Sequence, residues 1–293
     1  MKGKVIKNIA DKFTIVSEDD VIFENCKARG NLKQNGKILV GDNVEYSIEL
    51  GEAVIEKIDC RINEFIRPPI ANLQIMLIVI SEKPAVDLLL LDKLILNCKI
   101  KNVKPIIVIN KEDIIKASFI ENIKEIYKDS GVDILVVSAV TGKGKDDLVD
   151  AIQGKIACLS GQSAVGKSSI INMLLDKNEK VGELSKKIER GKNTTRHAEI
   201  HFIKEQNIYL ADTAGFSKFD ALDIAYNKIE EFMQEFDEFR CDCHYKPCSH
   251  IFEKEQDCAV KSALNDCKIN KNRYNNYKQI YEQIKNAWES RYE

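Results

Sequence analysis

A glycine-rich segment that ends in lysine and serine is the clearest stretch of this sequence able to do chemistry. Residues 161–168 read Gly-Gln-Ser-Ala-Val-Gly-Lys-Ser and match the pattern G-x-x-x-x-G-K-[ST], between a strand-like run at 156–159 and a helical pattern from 168. The glycines allow a tight loop whose backbone N–H groups face phosphate. Lys167 would reach the β- and γ-phosphates, and the Ser168 hydroxyl would coordinate Mg²⁺. We therefore predict a nucleotide-phosphate site at Gly161, Gln162, Ser163, Ala164, Val165, Gly166, Lys167, Ser168 and Ser169.

A second polar group follows another predicted strand, at 105–109. The tetrapeptide Asn-Lys-Glu-Asp comes next, and N-K-x-D at a strand end is how P-loop GTPases read guanine. The Asp113 carboxylate would accept from guanine N1–H and the N2 amino group, donors that adenine does not present together. A charged tetrapeptide alone is often an ordinary loop, but Ser-Ala-Val follows the next strand, where a backbone N–H would meet guanine O6. We predict GTP or GDP as the ligand, bound through Asn110, Lys111, Glu112, Asp113, Ser138, Ala139 and Val140.

Two further loops carry groups suited to Mg²⁺ and to the terminal phosphate. Asp-Thr-Ala-Gly at 212–215 follows the apolar run 208–210, so Asp212 would hold Mg²⁺ through water and the Gly215 N–H would sense the γ-phosphate. The polar segment 191–196 suits a switch loop, in which Thr195 would complete the Mg²⁺ shell. The basic residues around this segment leave two interpretations open, a solvated loop or a contact with phosphate or RNA.

The order of these motifs along the chain is unusual. Ordinary GTPases place the phosphate loop first, then the switch threonine, D-x-x-G, N-K-x-D and S-A, whereas here N-K-E-D and S-A-V come first. This order indicates a circular permutation, which domains tolerate because their termini often lie close together. The segment that leaves Gly215 then leads directly into the last part of the chain, so a nucleotide-dependent loop is tethered to another domain.

Cysteine and histidine crowd into that last part. Five of the nine cysteines lie at 241–267 together with two histidines. Disulfides rarely persist in a reducing compartment, so this cluster indicates a metal site. The other cysteines are isolated in apolar contexts and are expected to be buried small side chains. They are Cys26, Cys60, Cys98 and Cys158.

Three regions must position these residues. Five short strand patterns in the first sixty residues predict a small closed β-barrel, with an OB-fold as the leading candidate. Apolar strands alternate with helical patterns over 70–219 and predict a parallel α/β sheet covered on both faces. The remainder lacks a strand pattern and is expected to be α-helical. We place the barrel at 1–66, the circularly permuted α/β P-loop GTPase domain at 67–219 and a helical metal-binding domain at 220–293.

The charge balance excludes a protein that binds nucleic acid through its overall field. Forty-four basic residues face 46 acidic ones, a net charge of −2, so any nucleic-acid contact must be local. One candidate is the acid-free stretch 27–37, for which a solvated loop is the competing interpretation; its basic residues are Lys27, Arg29, Lys33 and Lys37. No apolar run approaches the ~18–20 residues of a membrane span, and the start lacks a secretion signal. We therefore expect a cytoplasmic protein without a membrane partner.

The barrel, the permuted motif order and the Cys/His region together resemble the small-ribosomal-subunit-dependent GTPases, the RsgA/YjeQ/YloQ family. The resemblance covers essentially the whole chain. It implies a ribosome-assembly factor that binds the nearly mature small subunit and its rRNA and hydrolyses GTP to be released. We expect it to act as a monomer.

The same resemblance implies one structural zinc ion, held in that family by the pattern C-x4-C-x-H-x5-C. Cys243, Cys248 and His250 have this spacing here, and Cys258 follows after seven residues instead of five. Zinc requires four nitrogen or sulfur ligands in a closed tetrahedral site, and a loop two residues longer can still close it. Three other residues stay open as the fourth ligand, namely Cys241, His244 and Cys267.

Two positions depart from the family pattern. Asn193 stands where its switch motif usually carries histidine, so His197 is a candidate replacement in hydrolysis. Phe216 follows D-x-x-G, where Ras-like enzymes carry the glutamine that orients water, and a phenyl ring cannot hydrogen-bond water. We therefore expect GTP hydrolysis that is slow in the isolated protein and stimulated by the small subunit. The expected catalytic residues are Lys167, Thr195, Gly215 and His197.

Two other functions stay open at this point. A permuted GTPase of large-subunit assembly would share the motif order but would not carry both the barrel and the metal cluster. An RNA-binding module could hold GTP or GDP only as a structural ligand. Such a module would bind RNA equally well with either nucleotide.

Overall fold

The first region is a closed five-stranded barrel. The computed structural model of the chain describes residues 1–30, 32, 37–65, 69–175, 199–211 and 224–290. The strands pair in the order β1-β2-β3-β5-β4, and Val5, Ile15, Val44 and Ile55 are fully buried inside. The strands are β1 (Lys2–Ile9), β2 (Lys12–Ser17), β3 (Ile22–Ala28), β4 (Asn43–Glu49) and β5 (Glu52–Ile58). The predicted barrel is confirmed.

The first two basic residues of the stretch 27–37, Lys27 and Arg29, do not extend freely into solvent. Lys27 lies on β3, which pairs with β5 in parallel. Its ammonium group lies 2.6 Å from the Glu52 carboxylate, and Arg29 lies 2.8 Å from Glu49 and 2.9 Å from Glu56. The sequence stretch contains no acid, but the barrel brings three of them from other strands. These exposed ion pairs offset part of the local positive charge.

The second region is a six-stranded sheet preceded by a short hairpin of β6 (Glu64–Phe65) and β7 (Ile70–Ala71). Its order is β10-β9-β8-β11-β13-β12, with all neighbours parallel except the antiparallel pair β12 and β13. The strands are β8 (Ile75–Ile80), β9 (Lys104–Ile109), β10 (Asp133–Val136), β11 (Ile156–Ser160), β12 (Ile200–Ile203) and β13 (Ile208–Ala211). The predicted parallel sheet is confirmed. The edge strand β12 was not predicted because it is four residues long and only its end residues are buried.

Helices cover both faces of this sheet. Every residue of β8 is buried, so its alternate side chains feed two separate cores. On one face Met76, Ile78 and Ile80 pack with α1 (Leu88–Ile100) and α2 (Ala117–Tyr127). On the other face Ile75, Leu77 and Val79 pack with residues of α3 (Lys145–Ile152) and α4 (Lys167–Leu174). This three-layer architecture leaves the carboxyl edge of the parallel strands for the loops that carry the predicted motifs.

The third region contains helices and no strand among its described residues, in agreement with the prediction. Its helices are α5 (Asp237–Arg240), α6 (Ala259–Asn265) and α7 (Lys271–Glu289), with 3₁₀ helices at Tyr226–Phe232, Gln234–Phe236 and Glu255–Asp257. The span 224–236 belongs to the region expected to be α-helical, but it forms 3₁₀ helices, because hydrogen bonds there close over three residues, such as Met233 N to Glu230 O. Apolar residues three and four apart suit either winding over so short a span. No described helix combines the length and apolar character needed to cross a bilayer.

A buried polar cluster joins α7 to the sheet domain. The Arg273 guanidinium is 3% exposed and forms ion pairs with Asp92 of α1 and, at 2.8 Å, with Glu235. Asn276 Nδ2 donates to Asp92 Oδ2 at 2.6 Å, and the Tyr127 hydroxyl donates to Asp92 Oδ1 at 2.8 Å. Removing one partner of such a pair leaves a buried charge, which costs about 3–5 kcal/mol. The C-terminal helices are therefore fixed against α1. We call this group the Arg273 cluster.

Candidate functional site

The glycine-rich loop runs from β11 into α4 in a conformation that requires glycine at two positions, 161 and 166. Gly161 has φ +132°, and a Cβ there would lie 2.2 Å from the Val79 carbonyl oxygen. Gly166, immediately before α4, has φ +98°, in the left-handed region that side chains rarely adopt. The loop thus presents the N-terminal end of α4 at the carboxyl edge of the sheet. Such an end attracts phosphate through its unpaired N–H groups.

Lys167 is held over this loop. Its ammonium group donates to the carbonyl oxygens of Gly161 at 2.9 Å and Gln162 at 2.7 Å. Partial burial lowers the pKa of Lys167. Ser168 and Ser169 follow in the first turn of α4 and are partly exposed, so their hydroxyls are accessible to a ligand. Lys167 can therefore offer one positive charge to a phosphate chain, and Ser168 and Ser169 can offer hydroxyl hydrogen-bond donors.

Asn110 connects three of the predicted motifs. It directly follows β9, and its Nδ2 donates to the Val165 carbonyl oxygen in the glycine-rich loop at 3.0 Å. Its Oδ1 accepts from the Ala139 backbone N–H at 3.1 Å. The adjacent Lys111 reaches the same loop, donating to the Ala164 carbonyl oxygen at 2.8 Å. Motifs whose contacting residues lie 55 and 29 positions from Asn110 thus meet at one edge of the sheet.

Asp113 is oriented by the following loop. The fully buried Ser138 donates its hydroxyl to Asp113 Oδ1 at 2.5 Å, and Val140 is 83% exposed beside it. Glu112 Oε1 accepts from Lys143 at 2.5 Å, a contact that pattern matching missed because Lys143 lies outside the three-residue motif. A carboxylate held on one oxygen by a buried hydroxyl is fixed in direction. It can then accept hydrogen bonds from adjacent N–H donors of a base.

Replacing Gly166 by alanine tests this geometry. The new Cβ would lie 2.2 Å from Asn110 Nδ2 at a φ of +98°, so the glycine-rich loop and Asn110 must move apart. We expect guanine-nucleotide affinity to fall at least about tenfold, equivalent to ~1.4 kcal/mol, measured by titration with a fluorescent nucleotide. Gly154→Ala is the matched control, because Gly154 has φ +71° but its Cβ would meet only Asn207 Nδ2, at 3.7 Å. Equal nucleotide affinity in the two variants would contradict the prediction.

A second group of residues gathers beside α6. The ligand atoms of Cys243, Cys248, His250 and Cys258 all lie within 4.8 Å of one another, and all four residues are buried. Cys243 Sγ lies 3.6 Å from His250 Nδ1 and 4.0 Å from Cys258 Sγ, and His250 Nδ1 lies 3.4 Å from Cys258 Sγ. A zinc ion with ~2.3 Å bonds to sulfur would separate tetrahedral ligands by about 3.8 Å. The observed spacings fit that geometry.

The surroundings of this group also suit a metal ion. His250 Nε2 faces Glu230 Oε2 at 3.7 Å, as the second nitrogen of a metal-bound histidine commonly faces a carboxylate. The Tyr274 hydroxyl donates to the His250 carbonyl oxygen at 2.6 Å, which fixes the loop. Burial raises the pKa of the Cys248 and Cys258 thiols, and the nearby charge of Cys243 raises both further. A divalent cation would reverse this effect by stabilising the thiolates.

The remaining cysteines divide in a way that the sequence only partly predicts. Cys26, Cys98 and Cys158 are buried, but Cys60 is exposed, so the expectation of burial was wrong for it. Cys60 follows the end of β5, where the chain has left the barrel core. Among the alternative ligands considered above, Cys241 and Cys267 are exposed, and His244 is outside the group of four. The arrangement therefore favours Cys258 over them.

Seven residues singled out in the sequence lie outside the described residues, namely Lys33, Asn193, Thr195, His197, Asp212, Gly215 and Phe216. The described part of the site thus comprises the glycine-rich loop, the two loops at the guanine end and the Cys/His group.

Comparison with known proteins identifies a family and relatives that match nearly the whole chain. The family model described as RsgA GTPase matches residues 58–222, and that described as RsgA N-terminal domain matches residues 2–55. The chain is 38% identical to the small ribosomal subunit biogenesis GTPase RsgA of Clostridium botulinum, over 98% of this chain and 100% of that protein. It is 37% identical to the protein of the same name from Clostridium perfringens, over 98% and 99% of the two chains.

Two solved structures resemble the fold. YjeQ from Thermotoga maritima superposes with a TM-score of 0.82 at 28% identity, covering 97% of this chain and 98% of that one. YloQ, described as a circularly permuted GTPase, gives a TM-score of 0.81 at 28% identity, covering 98% and 95%. The permuted motif order, the barrel and the Cys/His group all occur within these full-length matches. The chain therefore belongs to the RsgA family of GTPases.

Proposed function

We propose that this chain binds the small ribosomal subunit late in its maturation, in the cytoplasm, and leaves it when GTP is hydrolysed. The contact that supports guanine-nucleotide binding best is the double hydrogen bond of Asn110, which joins the glycine-rich loop to the Ser-Ala-Val loop. Relatives along the whole chain are named for small-subunit biogenesis, and this supports the choice of subunit. A single copy of the chain carries every motif, so we propose that it acts as a monomer.

We propose three domains with bounds at 1–66, 67–219 and 220–293. The barrel strands end at Ile58, the sheet extends from Ile75 to Ala211, and the C-terminal helical region begins at Tyr226, which supports these bounds. We assign contact with rRNA to the barrel, where Lys27 and Arg29 would exchange their exposed carboxylate partners for phosphates. Exposed ion pairs contribute little to the free energy of folding, so replacing them by contacts with phosphate costs little free energy.

The nucleotide would lie along the carboxyl edge of the sheet. In our proposal residues 161–169 surround the phosphates, and the guanine base faces Asp113 with the Lys111 stem on one ring face and Val140 near the other. The Ala139 N–H, already directed by Asn110, would lie near guanine O6. The Mg²⁺ ion of a GTPase would be held by Ser168 together with Thr195 and Asp212, and would offset phosphate charge.

The catalytic set of this proposal is incomplete in the isolated chain. Lys167 would stabilise charge on the phosphates, and Thr195 and Gly215 would contact the γ-phosphate side. Asn193 cannot act as a base as histidine does, and Phe216 cannot hydrogen-bond the attacking water. We therefore propose that His197, or a group of the subunit, completes the site only when the chain is bound.

Single-turnover hydrolysis with and without purified small subunits tests this function. Alone, the protein should hydrolyse GTP at roughly 10⁻⁴ to 10⁻² s⁻¹, as GTPases with incomplete sites do. Mature small subunits should raise this rate by about 10³–10⁵-fold, whereas large subunits should not. Asn193→His should raise the unstimulated rate. A rate near 1 s⁻¹ that subunits leave unchanged would refute the proposal.

A further inference from the structure

One hairpin lies between the two segments that carry the switch motifs. Its strands are β12 and β13, joined by a short 3₁₀ turn at Lys204–Gln206. The segment containing Thr195 enters the hairpin at its N-terminal side, and Asp212 follows directly after Ala211, the last residue of β13. A displacement of this hairpin would therefore move the attachment points of both segments at once.

The barrel holds one strand of this hairpin directly. Lys7 of β1 pairs with Glu199 in an antiparallel bridge, and the Lys7 ammonium group lies 2.9 Å from Glu199 Oε1. The two side chains are 34% and 35% exposed, so they are partly shielded from water. This pair connects the barrel to the residue that immediately precedes β12.

A second contact holds the other strand. Lys4 of β1 places its ammonium group 5.4 Å from the centre of the Tyr209 ring, a cation–π distance, and also donates to Asn43 Oδ1 at 2.7 Å. Tyr209 is 8% exposed and stacks on Phe202 of β12, with ring centres 4.6 Å apart. Both strands of the hairpin are thus fixed to the same barrel strand.

Apolar packing makes these contacts part of one core. Ile6 and Val16 of the barrel belong to the same buried cluster as Ile200 and Tyr209 of the hairpin. A close-packed core of this kind does not deform continuously, so barrel and hairpin move together. The barrel is the region to which we assigned rRNA contact above.

We infer that β1 of the barrel sets the position of the β12–β13 hairpin, with Lys7 and Lys4 as positioning residues, so that subunit binding by the barrel is transmitted to GTP hydrolysis. This inference rests on the proposed function, because it needs a partner on the barrel. The coupling passes through a shared core and two paired strands, and requires no contact between the barrel and the nucleotide.

Charge reversal at the Lys7–Glu199 pair tests the inference. We expect Lys7→Glu to lower the subunit-stimulated kcat by roughly fivefold or more, the lower end of coupling between distant sites, while KM for GTP and subunit affinity stay within about twofold. The double variant Lys7→Glu with Glu199→Lys should restore the stimulated rate. Lys57→Glu is the control, since Lys57 forms an exposed ion pair 2.8 Å from Glu45 elsewhere on the barrel.

The second contact gives an independent test. Tyr209→Leu removes the ring that faces Lys4 and should lower stimulation, whereas Tyr209→Phe keeps the ring and should preserve it. Full stimulation in both Lys7→Glu and Tyr209→Leu would overturn the inference while leaving the proposed function intact. Loss of subunit affinity in Lys7→Glu would also overturn it, by making Lys7 a binding residue. Absence of stimulation in the unmodified protein would instead defeat the proposed function on which the inference rests.

Discussion

Replacing Cys248 by serine is expected to unfold residues 240–270 while leaving guanine-nucleotide binding intact. The Cys/His group lies in the same buried core as Val260, Tyr274 and Tyr277, so the loss of one ligand removes the centre of that core. Structural zinc contributes about 10–16 kcal/mol of apparent binding free energy in small domains. Three cysteines and one histidine would leave no open position for water on a bound zinc ion, so we expect its role to be structural and not catalytic.

Zinc content, limited proteolysis and nucleotide titration together measure this outcome. Cys248→Ser should contain no zinc and be cleaved within 240–270, and its nucleotide affinity should match that of the unmodified protein. Cys267→Ser is the matched control, because Cys267 lies in the same region but is exposed. Unchanged protease resistance in a metal-free Cys248→Ser protein would show that the fold does not depend on the ion.

Replacing Asp113 by asparagine should lower affinity for GTP by about 10⁴-fold, since a site built to hydrogen-bond a ligand rejects mismatched groups by that factor. The amide presents one donor where the carboxylate presented an acceptor, and this donor faces the N–H groups of guanine. Ser138 can still donate to the remaining oxygen, so the loop should keep its shape. Xanthosine triphosphate, which has a carbonyl in place of the N2 amino group, should bind the variant better than GTP does.

Glu112→Gln makes the same chemical change at the adjacent position and serves as the control. Glu112 contacts Lys143 at the surface, so its substitution should alter GTP affinity by less than about threefold, in line with the small contribution of an exposed ion pair. Equilibrium titration of both nucleotides against both variants gives the comparison. If Asp113→Asn binds GTP within tenfold of the unmodified protein, Asp113 does not read the base.

Local sequence patterns were sufficient for the fold class and for bringing the candidate residues to one edge of the sheet. The glycine-rich loop, the Asn-Lys-Glu-Asp loop and the Ser-Ala-Val loop each follow an apolar strand, and parallel strands place their carboxyl ends together. The role of each residue in binding the nucleotide stays a prediction. Patterns succeed here because each motif is contiguous and its context is a strand end.

Contacts between distant parts of the chain could not be read in this way. The acidic side chains beside Lys27 and Arg29 come from β4 and β5, and no feature of the sequence 27–37 predicts these contacts. The partner of Asp92 likewise lies 181 residues away at Arg273. Periodicity indicates which face of an element is buried, but it does not indicate which charged side chains meet there.

The 181-residue separation of Asp92 and Arg273 also affects how the chain folds during its synthesis. Asp92 lies on a helix completed early in synthesis, whereas Arg273 is added 181 residues later. At the usual 5–20 residues per second this interval is on the order of 10–35 seconds. Until then the carboxylate has no guanidinium partner, and α1 cannot bury it without penalty. We therefore expect the final packing of α1 to require Arg273, so a nascent chain that stops before this residue should not reach that packing.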